Sequence, residues 1–350
     1  MSGALETLWY TRCPVPTGLG IAVQKGWLEE NLAQQGTRLR SIREADSQAV
    51  RESHFDHSLQ DSVRHGGSIP AIWARAQGRR TRVIGLSWAD ETQLILTRQG
   101  SGIRSVKDLK GRRFGLPDWQ GAQIDFTRAQ ALRGLENALR LDGLEVADVE
   151  RVDYRYGGTF SDEPVQAVLG TPVSTRRAEG RNAELVGLLR GEVDAIFLKG
   201  ASAAQLAHDF GLVTVIDTGA HPEPLVRSNN GTPRTLTVDE HLLEQHPEAV
   251  AGILDAVLRA EQWAWANPED TRRYLARETN SSEYWVSVAY GADAHLRLRT
   301  GLHEQAIDAL QDFTRFLHRW QFIPNAVDVR DWIDTRPLHN LRAADVAQVG

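Results

Sequence analysis

Cysteine is all but missing from this chain: 350 residues hold one, Cys13, alongside a single methionine. One thiol cannot close an internal disulfide, so the disulfide-stapled architecture of small secreted domains is excluded. Long apolar runs are missing too; without a stretch of about 18 apolar residues, no transmembrane helix is expected. Charge of one sign is not in large surplus. The net charge is −6, and basic runs such as GRRTR and GRRFG are short and interrupted. Neither nucleic acid nor an anionic membrane is therefore an expected partner. The opening MSGALETLWYTRC has no basic n-region, no apolar h-region and no small-residue cleavage site, which predicts a cytoplasmic protein. Repeats and low-complexity tracts are absent. So are a Walker-type G-x-x-x-x-G-K-[ST], a Rossmann glycine fingerprint in a strand-helix context and a G-x-S-x-G elbow.

What is present suits a two-lobed globular protein: 41% hydrophobic and 25% charged residues over a length beyond one typical domain. ETLWYT reads as a strand, followed by a helical stripe through Ile21, Ala22, Trp27 and Leu28. TRLRSIR, TRVIGLSW and TQLILTR read as further strands. RHGGSIPAIWARAQG reads as a glycine turn, a helix from about Pro70 and a stop at Gly78. In SGIRSVKDLKGRRFGLPD, Ser105 caps a short helix, Gly111 ends it and RRFGLP begins a new lobe. DFTRAQALRGLENALRLDGL is helical. NAELVGLLRGEVDAIFLKGASAAQLAHDFG reads helix, glycine turn, buried strand, helix. The last third is mostly helical. Strands alternating with helices predict an α/β protein with parallel or mixed sheets.

In order along nearly the whole chain, these segments resemble the type II periplasmic-binding-protein superfamily, in its branch for nitrate, sulfonate and thiamine precursors. CPVPTGLGIAVQKGWLEE matches that fold's first ligand-facing helix, GGSIPAIWARAQG its cleft-lining helix start and DLKGRRFG the opening of its second lobe. GEVDAIF matches that lobe's closing strand. The resemblance implies a cleft between lobes, with residues 1–98 as the first part of lobe I, 99–220 as lobe II and 221–350 as the return to lobe I with the C-terminal helices.

Two segments are also similar to the sulfinate desulfinases within this superfamily. YTRCPVP looks like their YSNCPVP, whose cysteine is the catalytic thiol. HFDHSLQDSVRHGGSIPAI keeps their His-x9-Arg-x-Gly-Gly spacing. Carried over residue by residue, the resemblance makes Cys13, His54 and Arg64 catalytic, and makes Arg64, Gly66 and Gly67 substrate-binding. The position between Arg and Gly-Gly is aromatic in that family and is His65 here, a further candidate donor to the substrate. Residues of roughly 118–180 align poorly, so the substrate of the resembling enzymes does not carry over with the chemistry.

The residue types fit such chemistry on their own terms. A thiol needs a base within hydrogen-bond reach, which His54 would be. A helix starting near Pro16 or Thr17 would turn its N–H groups towards the thiol or an adjacent anion. Arg64 offers a planar fork for a sulfinate. Gly66 and Gly67 allow close backbone approach, and the N–H groups opening the SIPAIW helix would complete an anion cradle. His57 would share a helix face with His54; with no third spaced ligand, two surface histidines are expected there rather than a metal site. Trp27, Trp73, Trp88 and Trp119 are candidates for an aromatic wall among ten tryptophans. Ser53 and Ser68 read as ordinary cap or turn residues.

The expected function is a cofactor-free, metal-free desulfinase that cleaves the C–S bond of an organic, aryl-type sulfinate and releases sulfite. Its partner is a small organosulfur anion, and a monomer is expected. The alternative is a non-catalytic solute-binding protein of an ABC importer for a sulfonate, a nitrate-like anion or a thiamine precursor, which needs no cysteine. A thiamine-pathway pyrimidine synthase would call for a Cys-rich iron site, which one cysteine does not supply.

Overall fold

The structure is a computed structural model that describes residues 4–158, 160, 166–168, 171–173 and 182–341. In chain order its strands are β1 Thr7–Arg12, β2 Arg38–Ser41, β3 Ser62–Gly66, β4 Thr81–Ser87, β5 Gln93–Thr97, β6 Arg113–Trp119 and β7 Glu150–Tyr156. They continue as β8 Gln166–Val168, β9 Thr171–Val173, β10 Ala195–Lys199, β11 Val213–Asp217, β12 Arg234–Asp239 and β13 Thr300–Gly301. One mixed sheet has the order β13-β4-β12-β3-β1-β2 and another the order β11-β5-β10-β6-β7, while β8 and β9 pair with each other. Each large sheet is the floor of a lobe. The chain passes between them twice, at residues 88–92 and 218–233. TQLILTR, placed in lobe I by the boundary at residue 98, forms β5 and pairs antiparallel with β10 and β11 of the second sheet.

The helices that matter for the site are α1 Gly18–Gln24, α2 Trp27–Ala33, α3 Gln48–Asp56, α4 Ser68–Ala76, α5 Phe126–Leu141, α6 Ala183–Arg190 and α7 Gly200–Asp209. Local chemistry explains their bounds. Thr17 caps α1, its Oγ1 accepting the Gly20 N–H at 3.0 Å, and Asp125 caps α5 through the N–H groups of Thr127 and Arg128. Gly78 and Gly111 take positive φ after their helices, as a left-handed stop requires. Ser105 and Asp108 form a reciprocal capping box on the short turn Val106–Leu109.

Lobe I is closed by the C-terminal helix Pro247–Ala266, which packs on α1 and α2. The approach is close because Gly18 has no side chain: a Cβ there would lie 2.8 Å from Glu261 and 2.9 Å from Val257. β3 is buried along its whole length, since it is an interior strand with β1 on one side and β12 on the other. Such a strand is normally apolar, yet this one carries Arg64 and His65. Among the described residues no helix is long and apolar enough to cross a membrane.

Candidate functional site

The site grows from the parallel pairing of β1 and β3, which sets Arg12 beside His65. The chain leaves β1 at Cys13, whose N–H donates to the His65 carbonyl at 3.2 Å, and turns as the Val15 N–H returns to the Cys13 carbonyl at 2.8 Å. This lays the thiol over Gly66, the last residue of β3. The expected glycine turn is therefore a strand end, and only Gly67 is the cap of α4.

α3 supplies the imidazole. His54 is buried, and its Nδ1 lies 2.6 Å from Thr11 Oγ1 on β1, which fixes the ring against the strand that delivers Cys13. The neighbouring Phe55 ring meets it edge-on at 4.6 Å. His57 closes α3 in the left-handed conformation, with φ 52° and ψ 34°. Both histidines are buried, not on the surface as the His-x-x-His spacing suggested. Burial holds His57 well below the ordinary imidazole range, helped by the charge of Arg64, by His54 and by Arg79.

Arg64 is held from two sides: Nε donates to the Ser53 carbonyl at 3.1 Å and Nη1 to Ser62 Oγ at 2.8 Å. Burial lowers its pKa to about 10, against the attraction of Asp239 and Asp56, so it stays charged at neutral pH. Among the described residues no carboxylate forms an ion pair with it. His65 Nε2 lies 3.0 Å from Ser87 Oγ. Its pKa falls to about 3, first through burial and then through the charge of Arg234, so the ring is neutral.

The amide cradle at the start of α4 differs from expectation. The Ser68 N–H donates to the Asn230 carbonyl at 2.8 Å, the Ile69 N–H donates to Asn230 Oδ1 at 2.9 Å, and Pro70 has no N–H. Asn230 thus satisfies the helix end that the sequence offered to an anion. Gly67 lacks a side chain for the same reason: a Cβ would stand 2.7 Å from Asn230 Oδ1.

These residues surround two adjoining spaces. A cavity of about 20 Å³ is lined by Cys13, His54, His57, Arg64, His65, Gly66, Gly67 and Thr237 among others. A cleft of about 560 Å³ opens between the lobes, a volume that suits a small-molecule ligand. Cys13, His54, Gly67 and Pro70 face both spaces. Arg64, His65 and Gly66 face only the small one, because β3 and the bonds to Ser53 and Ser62 hold the guanidinium behind the thiol.

The cleft has an aromatic wall contributed by both lobes. Phe55 of α3 lies 6.2 Å from Phe126 of α5, Phe126 lies 4.5 Å from Phe160, and Trp119 stacks on Tyr156 at 4.7 Å. Of the four candidate tryptophans, only Trp119 lines the cleft. Trp27 meets Trp263 edge-on at 6.1 Å, and Trp73 and Trp88 pack against a hydrophobic core. The opposite wall is polar. Lys199 Nζ donates to Glu91 Oε1 at 2.6 Å, and although burial would raise the Glu91 carboxyl, Lys199 and Arg234 hold it low. Sequence reasoning missed Phe126, Lys199, Glu91 and Asn230. Among the described residues, the group of three side chains close enough to share a metal ion is Asp61, Asp239 and His241, at the opposite end of β3 from Gly66.

Two lobes built on mixed sheets, with a ligand-sized cleft between them, define a type II periplasmic-binding-protein-like fold. The sequence profile of the NMT1/THI5-like family matches residues 14–271, and the chain belongs to that family. It is 27% identical to the 2'-hydroxybiphenyl-2-sulfinate desulfinase of Rhodococcus erythropolis, over 97% of this chain and 94% of the relative. Among solved structures, a cysteine-to-serine mutant of the desulfurization enzyme DSZB in complex with biphenyl-2-sulfinic acid superposes with a TM-score of 0.75. It is 25% identical, with 97% of this chain and 99% of that one covered. The periplasmic aliphatic sulphonate-binding protein SsuA from Escherichia coli superposes with a TM-score of 0.65 at 17% identity, covering 94% and 92% of the two chains, and shares the fold.

Proposed function

We propose that the protein is a desulfinase that uses Cys13 to cleave the C–S bond of an aryl sulfinate: R–SO2⁻ + H2O → R–H + HSO3⁻. One observation carries the reading. Cys13 and His54 stand together where an aromatic cleft meets a small polar cavity, and a simple binding cleft needs no thiol there. The aryl group lies against Phe55, Phe126 and Trp119, and the sulfinate points to Cys13, His54 and Gly67. Arg64, charged and without an ion-pair partner among the described residues, balances the anion from behind the thiol. Two routes are open to Cys13. As a nucleophile it attacks sulfur; as an acid it protonates the ring carbon while the C–S bond breaks and SO2 departs. Both consume one water and end in sulfite. The homology to a sulfinate desulfinase supports the reading over a transport-protein role.

The test is sulfite release from a panel of aryl and alkyl sulfinates, comparing wild type with Cys13→Ser. Turnover of aryl sulfinates that disappears in the variant is the expected result. Tight, unreactive binding of a sulfonate that survives Cys13→Ser, with no sulfinate turned over, would establish the binding protein instead.

A further inference from the structure

Behind Cys13, three buried polar atoms have no hydrogen-bond partner among the described residues: Arg64 Nη2, His57 Nδ1 and Thr237 Oγ1. Arg64 and Thr237 are register partners on adjacent strands, so their side chains share one face of the sheet, and all three residues line the cavity of about 20 Å³. Unpaired buried polar atoms are costly and rare, and three around one void mark a place built to hold something polar. The size selects the occupant. A water needs roughly 10–15 Å³ of such space and two to four polar partners, whereas a sulfinate or sulfite group has three or more heavy atoms.

The donor pattern also fits water. Arg64 Nη2 can only donate, and the Thr237 hydroxyl can donate. His57, uncharged in its buried place beside Arg64, can present its Nδ1 as a lone pair. Two donors and one acceptor give a water the three bonds that a buried water typically makes. A halide would meet that lone pair, and a metal cation would meet the guanidinium.

We infer that this cavity is the site of one resident water, and that this water returns the proton to the Cys13–His54 pair in each turnover. The second half rests on the desulfinase reading with Cys13 as acid. The thiol proton goes to the ring carbon as the C–S bond breaks, and sulfur leaves as SO2. The thiolate then takes a proton from the water through His54, breaking an O–H bond and restoring S–H. The hydroxide oxygen bonds to the sulfur of SO2 and gives HSO3⁻, so the sum is the hydrolysis above. Cys13 and His54 face both spaces, which gives the water a route to the cleft without opening the lobes. His57 and Thr237 are positioning residues that act through this water.

A crystal structure of the wild-type protein, at a resolution that shows ordered water, tests the site directly. Spherical density within hydrogen-bond distance of all three atoms is expected; an empty cavity or an anomalous halide peak overturns the proposal. For the proton role, Thr237→Val removes one donor with little change of shape. It should lower kcat about tenfold with KM nearly unchanged and alter the solvent deuterium isotope effect, while Thr237→Ser restores both. An unchanged isotope effect, or losses in both variants that merely follow their melting temperatures, sinks the proton role. Water density together with no sulfite release from any sulfinate would remove the desulfinase reading and the proton role, while establishing the hydration site.

Discussion

Gly66 and Cys13 are packed so closely that no other residue fits beside the thiol: a Cβ on Gly66 would lie 2.4 Å from Sγ and 2.7 Å from the Cys13 Cβ. The backbone of Gly66 lies outside the left-handed region, so alanine meets a collision there rather than a forbidden conformation. Gly66→Ala must therefore displace the thiol. A shift near 1 Å at a reacting group costs on the order of 100-fold in rate, and crowding a packed site costs about 1–3 kcal/mol. The expected outcome is a folded protein with sulfite release reduced about 100-fold, checked by circular dichroism and steady-state kinetics. Near-normal turnover would mean that Cys13 does not act from this position.

Asn230 governs the neighbouring glycine and the helix behind it. Its side chain takes the Ile69 N–H and crowds Gly67. Asn230→Ala removes the side-chain acceptor for a buried helix end, a loss of about 0.5–2 kcal/mol for a capping group. Denaturant unfolding should show that drop. The variant also frees an N–H at the cleft side of α4, so affinity for an aryl sulfonate should hold or rise while stability falls. A parallel loss of both would assign Asn230 to ligand binding instead.

Phe126 tests the aromatic wall. It lies between Phe55 of lobe I and Phe160 of lobe II, so it touches the cleft and helps bring the lobes together. Phe126→Ala should lower kcat/KM for aryl sulfinates about 10- to 100-fold, while methanesulfinate changes by less than about threefold. Equal losses on both substrates would point to lobe closure rather than aryl recognition.

Much of this site was legible because its parts are close in sequence or in strand register. Cys13 directly follows β1, while Arg64, Gly66 and Gly67 lie on or just past β3, and the pairing of Arg12 with His65 turns a gap of 53 residues into adjacent positions. His54, the expected base, lines the same cavity as Cys13. Spacing could not show that His57 is buried, because the left-handed turn that ends α3 bends its side chain inward. Helical periodicity assumed an outward continuation. The free end of α4 was a reasonable inference from Gly-Gly-Ser, but its partner Asn230 comes from more than 160 residues downstream, on the second passage between lobes. The same limit hid Lys199, Glu91 and Phe126, whose side chains meet only when two sheets face each other. Strand alternation located β5 but not its sheet, since both faces of that strand are buried and its pairing is long-range.

Glu261 gives the molecule a stability profile whose sign can be worked out. It is buried against α1 and accepts from the Thr300 N–H at 2.8 Å and from Thr300 Oγ1 at 2.6 Å. Burial raises its pKa from 4.5 to about 7, the Thr300 bonds opposing. A carboxyl whose folded pKa lies above its unfolded value adds stability that is complete below pH 4.5 and is lost as pH rises through about 7. His65 works the other way: its folded pKa of about 3 lies below the ordinary 6.5. Its contribution is complete above pH 6.5 and is lost as pH falls. His57 shares that direction, so between pH 4.5 and 6.5 the glutamate offsets part of the loss from the two imidazoles. Glu261→Gln removes only the glutamate's part. The stability of wild type minus variant should therefore decline by up to about 1.4 kcal/mol per pH unit between pH 4.5 and 7, then level off. Urea unfolding of both proteins at half-unit steps across that window measures it. A difference that stays flat would show that Glu261 keeps an ordinary carboxyl pKa despite its burial.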